Sequence, residues 1–194
     1  MEQLLNNSDA YSIESDCEEF YLLLYREKKW FSSSVIYGMI VNKSEINNYN
    51  ETDIKNKATY KMKYNVIYYN NKQLGDINND SNYRMNYIYN NYYLSMYIKN
   101  KPAHVILSIK DNEIFNIFTN NDYIWNSEKQ QITSVYNIID FNGISSQKNI
   151  VIINDNKESV CEVLKIYRDV LLCASVKPFN YLYTFIIGCQ MFKN

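Results

Sequence analysis

The sequence predicts a β-rich α+β domain: antiparallel sheet, then one C-terminal amphipathic helix at about 156–175, then a final strand. Three observations carry that expectation. Between 83 and 118, apolar runs are cut by Asn-Asn, by Asn-Lys-Pro and by Asp-Asn, the one-dimensional form of an antiparallel meander. Val160, Val163, Leu164, Tyr167, Val170, Leu171 and Ala174 recur at helical spacing, behind Asp155 and Glu158, which can form a capping box. Phe179, Tyr181, Tyr183, Phe185 and Ile187 then alternate with Asn180, Leu182, Thr184 and Ile186, as a closing strand would.

Residues 1–17 are polar and acidic and are expected to be a flexible or loosely docked start, with a single domain over 18–194. Residues 20–25 read as a strand with Phe20, Leu22 and Leu24 on one side and Tyr21, Leu23 and Tyr25 on the other. Alternation from Trp30 to Val41 completes a first hairpin. The breaker-rich segment 42–59 is expected to be a long exposed loop, and 61–68 a strand. Asn70-Asn71 and 75–82 are expected turns before the meander, in which Leu94, Met96 and Ile98 oppose Tyr93, Ser95, Tyr97 and Lys99. Segment 119–131 reads as loop, and 132–141 and 149–153 as further strands.

Composition narrows the function classes. The chain has 4 Gly, 2 Pro and 20 Tyr, and a formal net charge of −1. Phosphate cradles, nucleophile elbows and dinucleotide turns need glycine at positions this chain does not provide. A near-neutral balance with scattered Lys and Arg offers no large positive field, so nucleic acid is not an expected partner. The single histidine, His104, rules out any multi-histidine metal site and reads as a structural or surface imidazole. Cys17, Cys161, Cys173 and Cys189 form no close-spaced pair and read as buried reduced thiols. Residues 76–82 begin like a calcium loop, but Ser81 and Tyr87 stand where Gly and Glu are required. No secretory leader or membrane-length apolar run is evident, and membrane insertion is not expected. An enzyme is therefore not expected, nor any metal, cofactor or catalytic residue.

Surface recognition is the chemistry left. Trp30, Tyr92, Tyr93, Tyr123 and Trp125 stand beside turns, with Asn90, Asn91, Asn120, Asn121 and Asn126 close in sequence. Aromatic rings next to amides combine an apolar platform with hydrogen bonding, which suits a sugar ring or a peptide.

Taken together, the β-rich character, the abundance of Asn, Tyr and Ile, the early strand at 20–25 and Trp30 shortly after it resemble the N-terminal head domain of the rotavirus outer-capsid spike, in a divergent group. The resemblance implies a virion-surface domain made in the cytoplasm, joined to the rest of a spike, that attaches to a host receptor, glycan or protein. No binding residue carries over by position. Heads of the best-known groups form a galectin-like sandwich richer in Gly and Pro, which a helix at 156–175 fits poorly. The alternative is a cytosolic adaptor of viral or parasite source that binds a host protein through a sheet edge or its tyrosine face.

Overall fold

The computed structural model describes residues 19–79, 84–89, 92–99, 104–109, 113–119, 123–126, 131–134, 138–146, 148–153, 156, 158–177 and 179–193, with the backbone alone from 78 to 134. Within these described residues fourteen strands and two α-helices follow one another. The strands are β1 (Glu19–Glu27), β2 (Val35–Ile40), β3 (Tyr60–Lys63), β4 (Val66–Tyr69), β5 (Lys72–Asn79), β6 (Arg84–Tyr89), β7 (Tyr92–Lys99), β8 (His104–Ile109), β9 (Glu113–Thr119), β10 (Tyr123–Asn126), β11 (Gln131–Ser134), β12 (Ile150–Ile153), β13 (Ser159–Tyr167) and β14 (Val170–Val176). The helices are α1 (Glu51–Asn56) and α2 (Tyr181–Lys193), with a 3-10 turn at Lys43–Asn48.

Twelve of the strands close into an antiparallel barrel, from β1 through β2 and on in chain order to β9, then β12, β13 and β14, which pairs back onto β1. β10 and β11 form a separate two-stranded ribbon in the connection between β9 and β12. The β-rich antiparallel class with a C-terminal helix is as the sequence predicts.

Alternation sorts the strand residues into two layers. Phe20, Leu22, Leu24, Ile36, Tyr60, Met62, Ile67, Cys161, Leu171 and Cys173 face inward, into one cluster with α2. From Tyr181 to Phe192 every residue of α2 is buried, so the helix fills the barrel. A helix apolar on all sides is stable only when surrounded, and the barrel wall surrounds it. Asn180 caps its start by accepting the amide of Tyr183 at 2.8 Å. Gly38 and Gly188 admit the helix: Phe185 lies against the bare backbone of Gly38, and Gly188 passes Leu24 and Cys173.

A second apolar layer covers part of the outside. Tyr21, Leu23, Met39, Leu164, Leu172 and Ala174 pack under Ile46, Ile54, Ile138 and Ile139. Glu162, fully buried in this layer, accepts the amides of Ile138 and Ile139 and the hydroxyl of Ser159. Its lone pairs are thereby occupied, as a buried carboxylate requires.

Several expectations are corrected. Residues 156–175 form no helix: β13 and β14 make a hairpin there, paired from Cys161↔Ser175 to Tyr167↔Val170. Both faces of that hairpin are buried, so its apolar run lacks polar alternation and mimics a helical stripe. The expected final strand at 179–187 is α2, whose alternating aromatics are inward on every side. Residues 61–68 are two strands, because Tyr64 and Asn65 take φ of 52° and 67° and turn the chain as a type I′ hairpin needs. Asn70 and Asn71, at 45° and 65°, form the turn expected of them. Most of the expected turn at 75–82 is strand β5, which also removes the calcium-like loop. Segment 42–59 holds α1, closed by a capping box between Asn50 and Asp53. β2 begins at Val35, β10 occupies part of 119–131, and β11 ends at Ser134. Residues 1–17, with Cys17, lie outside the described residues; Cys161, Cys173 and Cys189 are buried.

The fit at Gly188 is a direct check on the helix position. A Cβ there would stand 2.6 Å from Leu24 Cδ2 and 2.7 Å from Cys173 Sγ. Gly188→Val should therefore lower the unfolding free energy by about 1–3 kcal/mol in a urea titration; an unchanged midpoint would place the helix elsewhere.

Candidate recognition surface

Neighbouring strands run in opposite directions, so their connections collect at two ends of the barrel. One end carries the β1–β2 loop, the β3–β4 turn, the β13–β14 turn and the C-terminus of α2. The β9–β12 connection also leaves and returns there, since Thr119 and Ile150 are register partners. The other end carries segment 41–59, the β4–β5 turn and the start of α2.

The five sequence candidates divide between them. Trp30 is in the β1–β2 loop at the first end, and Tyr123 and Trp125 belong to β10, opposite Ser134 and Ile132 in the ribbon. Tyr92 and Tyr93 open β7, opposite Tyr89 and Ile88, at the second end. Those two pairs lie where the structure describes the backbone only, so Trp30 is the candidate whose side chain can be placed. It is 96% exposed, and Phe31, which sequence reasoning assigned to a strand, is 100% exposed. The clue that separates them from a strand is Ser32-Ser33-Ser34, a run with weak strand preference that continues the loop to β2.

The base of the loop is held firmly. The Arg26 guanidinium donates twice to Asp169 Oδ1, at 2.6 and 3.0 Å, and once to the carbonyl of Phe192 at 2.7 Å. Its cation also lies 5.0 Å from the centre of the Phe192 ring. Lys28 reaches the same Asp169 oxygen at 3.3 Å. Burial alone would raise the Asp169 pKa, but the Arg26 and Lys28 contacts outweigh it and hold the carboxyl below its usual range. Lys148 donates to the carbonyl of Met191 at 2.6 Å. Two cations thus satisfy the last carbonyls of α2, where the helix dipole favours positive charge. Glu27, on the outer side of the loop's base, accepts from Lys55 and from Tyr37. The Lys55 contact, with that of Tyr37, keeps its carboxyl below the usual range.

Among the described residues no group of three or more His, Cys, Asp and Glu is arranged to hold a metal ion. A scan against models of known protein families finds no match, and a search of curated proteins finds no relative.

Two measurements check the anchor. Asp169→Asn leaves Arg26 partly buried without its counter-charge and should cost about 1–3 kcal/mol of stability; a cost near zero would show that the loop base is not pinned there. Burial, with Arg26 and Lys165 acting in the same direction, pushes Lys148 down to about 8 from 10.5. Above 8 the unfolded chain holds this proton more tightly than the folded one, so stability rises with pH from about 8 toward 10.5. Urea midpoints of the wild type should climb relative to those of Lys148→Met across that window; parallel profiles would contradict the assignment.

Proposed function

We propose that this chain is a non-enzymatic recognition domain whose contact element is the loop at residues 28–34, and that it serves attachment to a host cell as the head of a viral spike. The observation that carries the reading is the pair Trp30 and Phe31, adjacent and almost wholly in water. Large aromatic side chains contribute to stability through burial, and these two contribute none to this fold. Their apolar surface is left available to a partner, on a loop whose base is fixed before the partner arrives.

Two features of the barrel support a loop-borne contact. The interior is taken by α2, so binding belongs to the outside. The twelve barrel strands are paired on both sides, so a partner strand has no barrel edge to join. The viral attachment role comes from the resemblance to rotavirus spike heads, and the loop supplies that role with a contact.

The test is binding of the labelled chain to a glycan array and to cultured animal cells, with and without Trp30→Ala and Phe31→Ala. Each substitution should weaken binding by about thirtyfold, the scale of an interface hot spot, while the unfolding free energy stays within about 0.5 kcal/mol. Binding that both variants retain in full would remove the loop from the contact.

A further inference from the structure

Along the arc of the barrel rim from β13 to β4, several large apolar side chains stand exposed. Among the described residues the large exposed apolar side chains are Trp30 at 96%, Phe31 at 100%, Tyr64 at 62%, Tyr167 at 59% and Ile144 at 42%. Trp30 and Phe31 are in the β1–β2 loop, Tyr64 in the β3–β4 turn, and Tyr167 at the β13–β14 turn. These hairpins are consecutive around the wall, in the order β13, β14, β1, β2, β3, β4. Ile144 joins them, its amide bonded to the carbonyl of Lys165 on β13 at 2.7 Å. At about 4.8 Å per strand, the arc is about 25 Å across.

The same tips carry cations. Lys28 and Lys29 precede Trp30, Lys63 lies 5.1 Å from the centre of the Tyr64 ring, and Arg168 follows Tyr167. Among the described residues the acids nearby are Asp169, held by Arg26 and Lys28, Glu27, held by Lys55 and Tyr37, and Asp76, opposite Val66 in the register. Arg26 and Lys28 share the single charge of Asp169 and leave one positive charge in excess, and Lys29, Lys63 and Arg168 add positive charge that these contacts do not neutralise. Tyr64 also occupies a left-handed turn position that Asn or Gly would fill with less strain. Its aromatic side chain is therefore present at a conformational cost, on the arc that bears the others.

We propose that this arc docks peripherally on the interface of an anionic lipid bilayer, with Trp30 and Phe31 entering the headgroup layer and Lys28, Lys29, Lys63 and Arg168 facing acidic headgroups. The proposal rests on the reading of residues 28–34 as the contact loop and names its partner. Aromatic rings with a polar handle settle at the depth where hydrocarbon meets headgroups, and flanking lysines add attraction to acidic lipid. Here rings and cations are distributed over three separate tips at one end, as a flat extended surface requires. Docking of this kind needs no spanning run, so it is compatible with the lack of one in the sequence.

The full chain would be sedimented with vesicles of phosphatidylcholine containing about three parts in ten phosphatidylserine, and with phosphatidylcholine vesicles alone. Binding should favour the acidic vesicles and weaken as salt rises. The pair Trp30→Ala and Phe31→Ala should lower it at least tenfold, and Lys28→Gln and Lys29→Gln by about fivefold each. In a Trp125→Phe variant Trp30 is the only tryptophan, and its emission should shift to the blue on acidic vesicles. Failure of the wild-type chain to bind acidic vesicles at low salt, with loop-dependent binding to cells intact, would overturn the lipid partner and leave the recognition loop standing. Vesicle binding unaffected by loss of Trp30 and Phe31 would overturn the docking geometry, and equal binding to both vesicle types would overturn its electrostatic part.

Discussion

Burial of α2 inside the barrel is the constraint from which the rest of the structure follows. The helix is apolar all round, so in water it has no stable face, and inside the wall each of its large side chains gains roughly 1.5–3 kcal/mol from burial. The wall is shaped in return. Its inward residues are a mixture of large side chains such as Phe20 and Tyr60 with the close-approach position Gly38, matched on the helix by Gly188, which lets a helix and twelve strands share one interior. Closure also removes the barrel's edges, and with them the usual route by which a sheet recruits a foreign strand.

The end of the helix and the base of the exposed loop are one cluster. Arg26 donates to the carbonyl of Phe192 and to Asp169 at once, and Lys148 donates to the carbonyl of Met191. A group that caps the helix therefore also fixes the start of the loop that carries Trp30 and Phe31. Core packing and the contact surface are linked through Arg26. The recognition reading draws its strength from that link, because a loop held by the core loses little entropy when it binds.

What could be read in advance follows from how many faces each segment buries. β1 and the strands of the meander were legible because polar or turn residues punctuate them, as Asn70 and Asn71 do between β4 and β5. The β13–β14 hairpin was not, since the inner cluster takes Cys161, Val163 and Leu171 while the outer layer takes Leu164, Leu172 and Ala174, leaving no polar face to set the period. α2 failed for the mirror reason: a surrounded helix has no stripe, and its aromatic alternation is a coincidence of composition. Trp30 stood out by residue type and by its neighbouring turn. Phe31 did not, because a strand drawn from Trp30 to Val41 assigned it to a strand face. Tyr64 and Tyr167 became visible only when the topology brought their turns to the same end as Trp30.

The account stands or falls on the helix being sealed within the wall. Native-state hydrogen exchange on the amides from Leu182 to Met191 measures that directly, because such amides can exchange only when the barrel opens as a whole. Exchange at the free energy of global unfolding, equal to that of the central amides of β1 and β14, is the predicted result. Exchange of the helix at a much lower free energy than those strands would mean that it lies outside a wall able to stand without it.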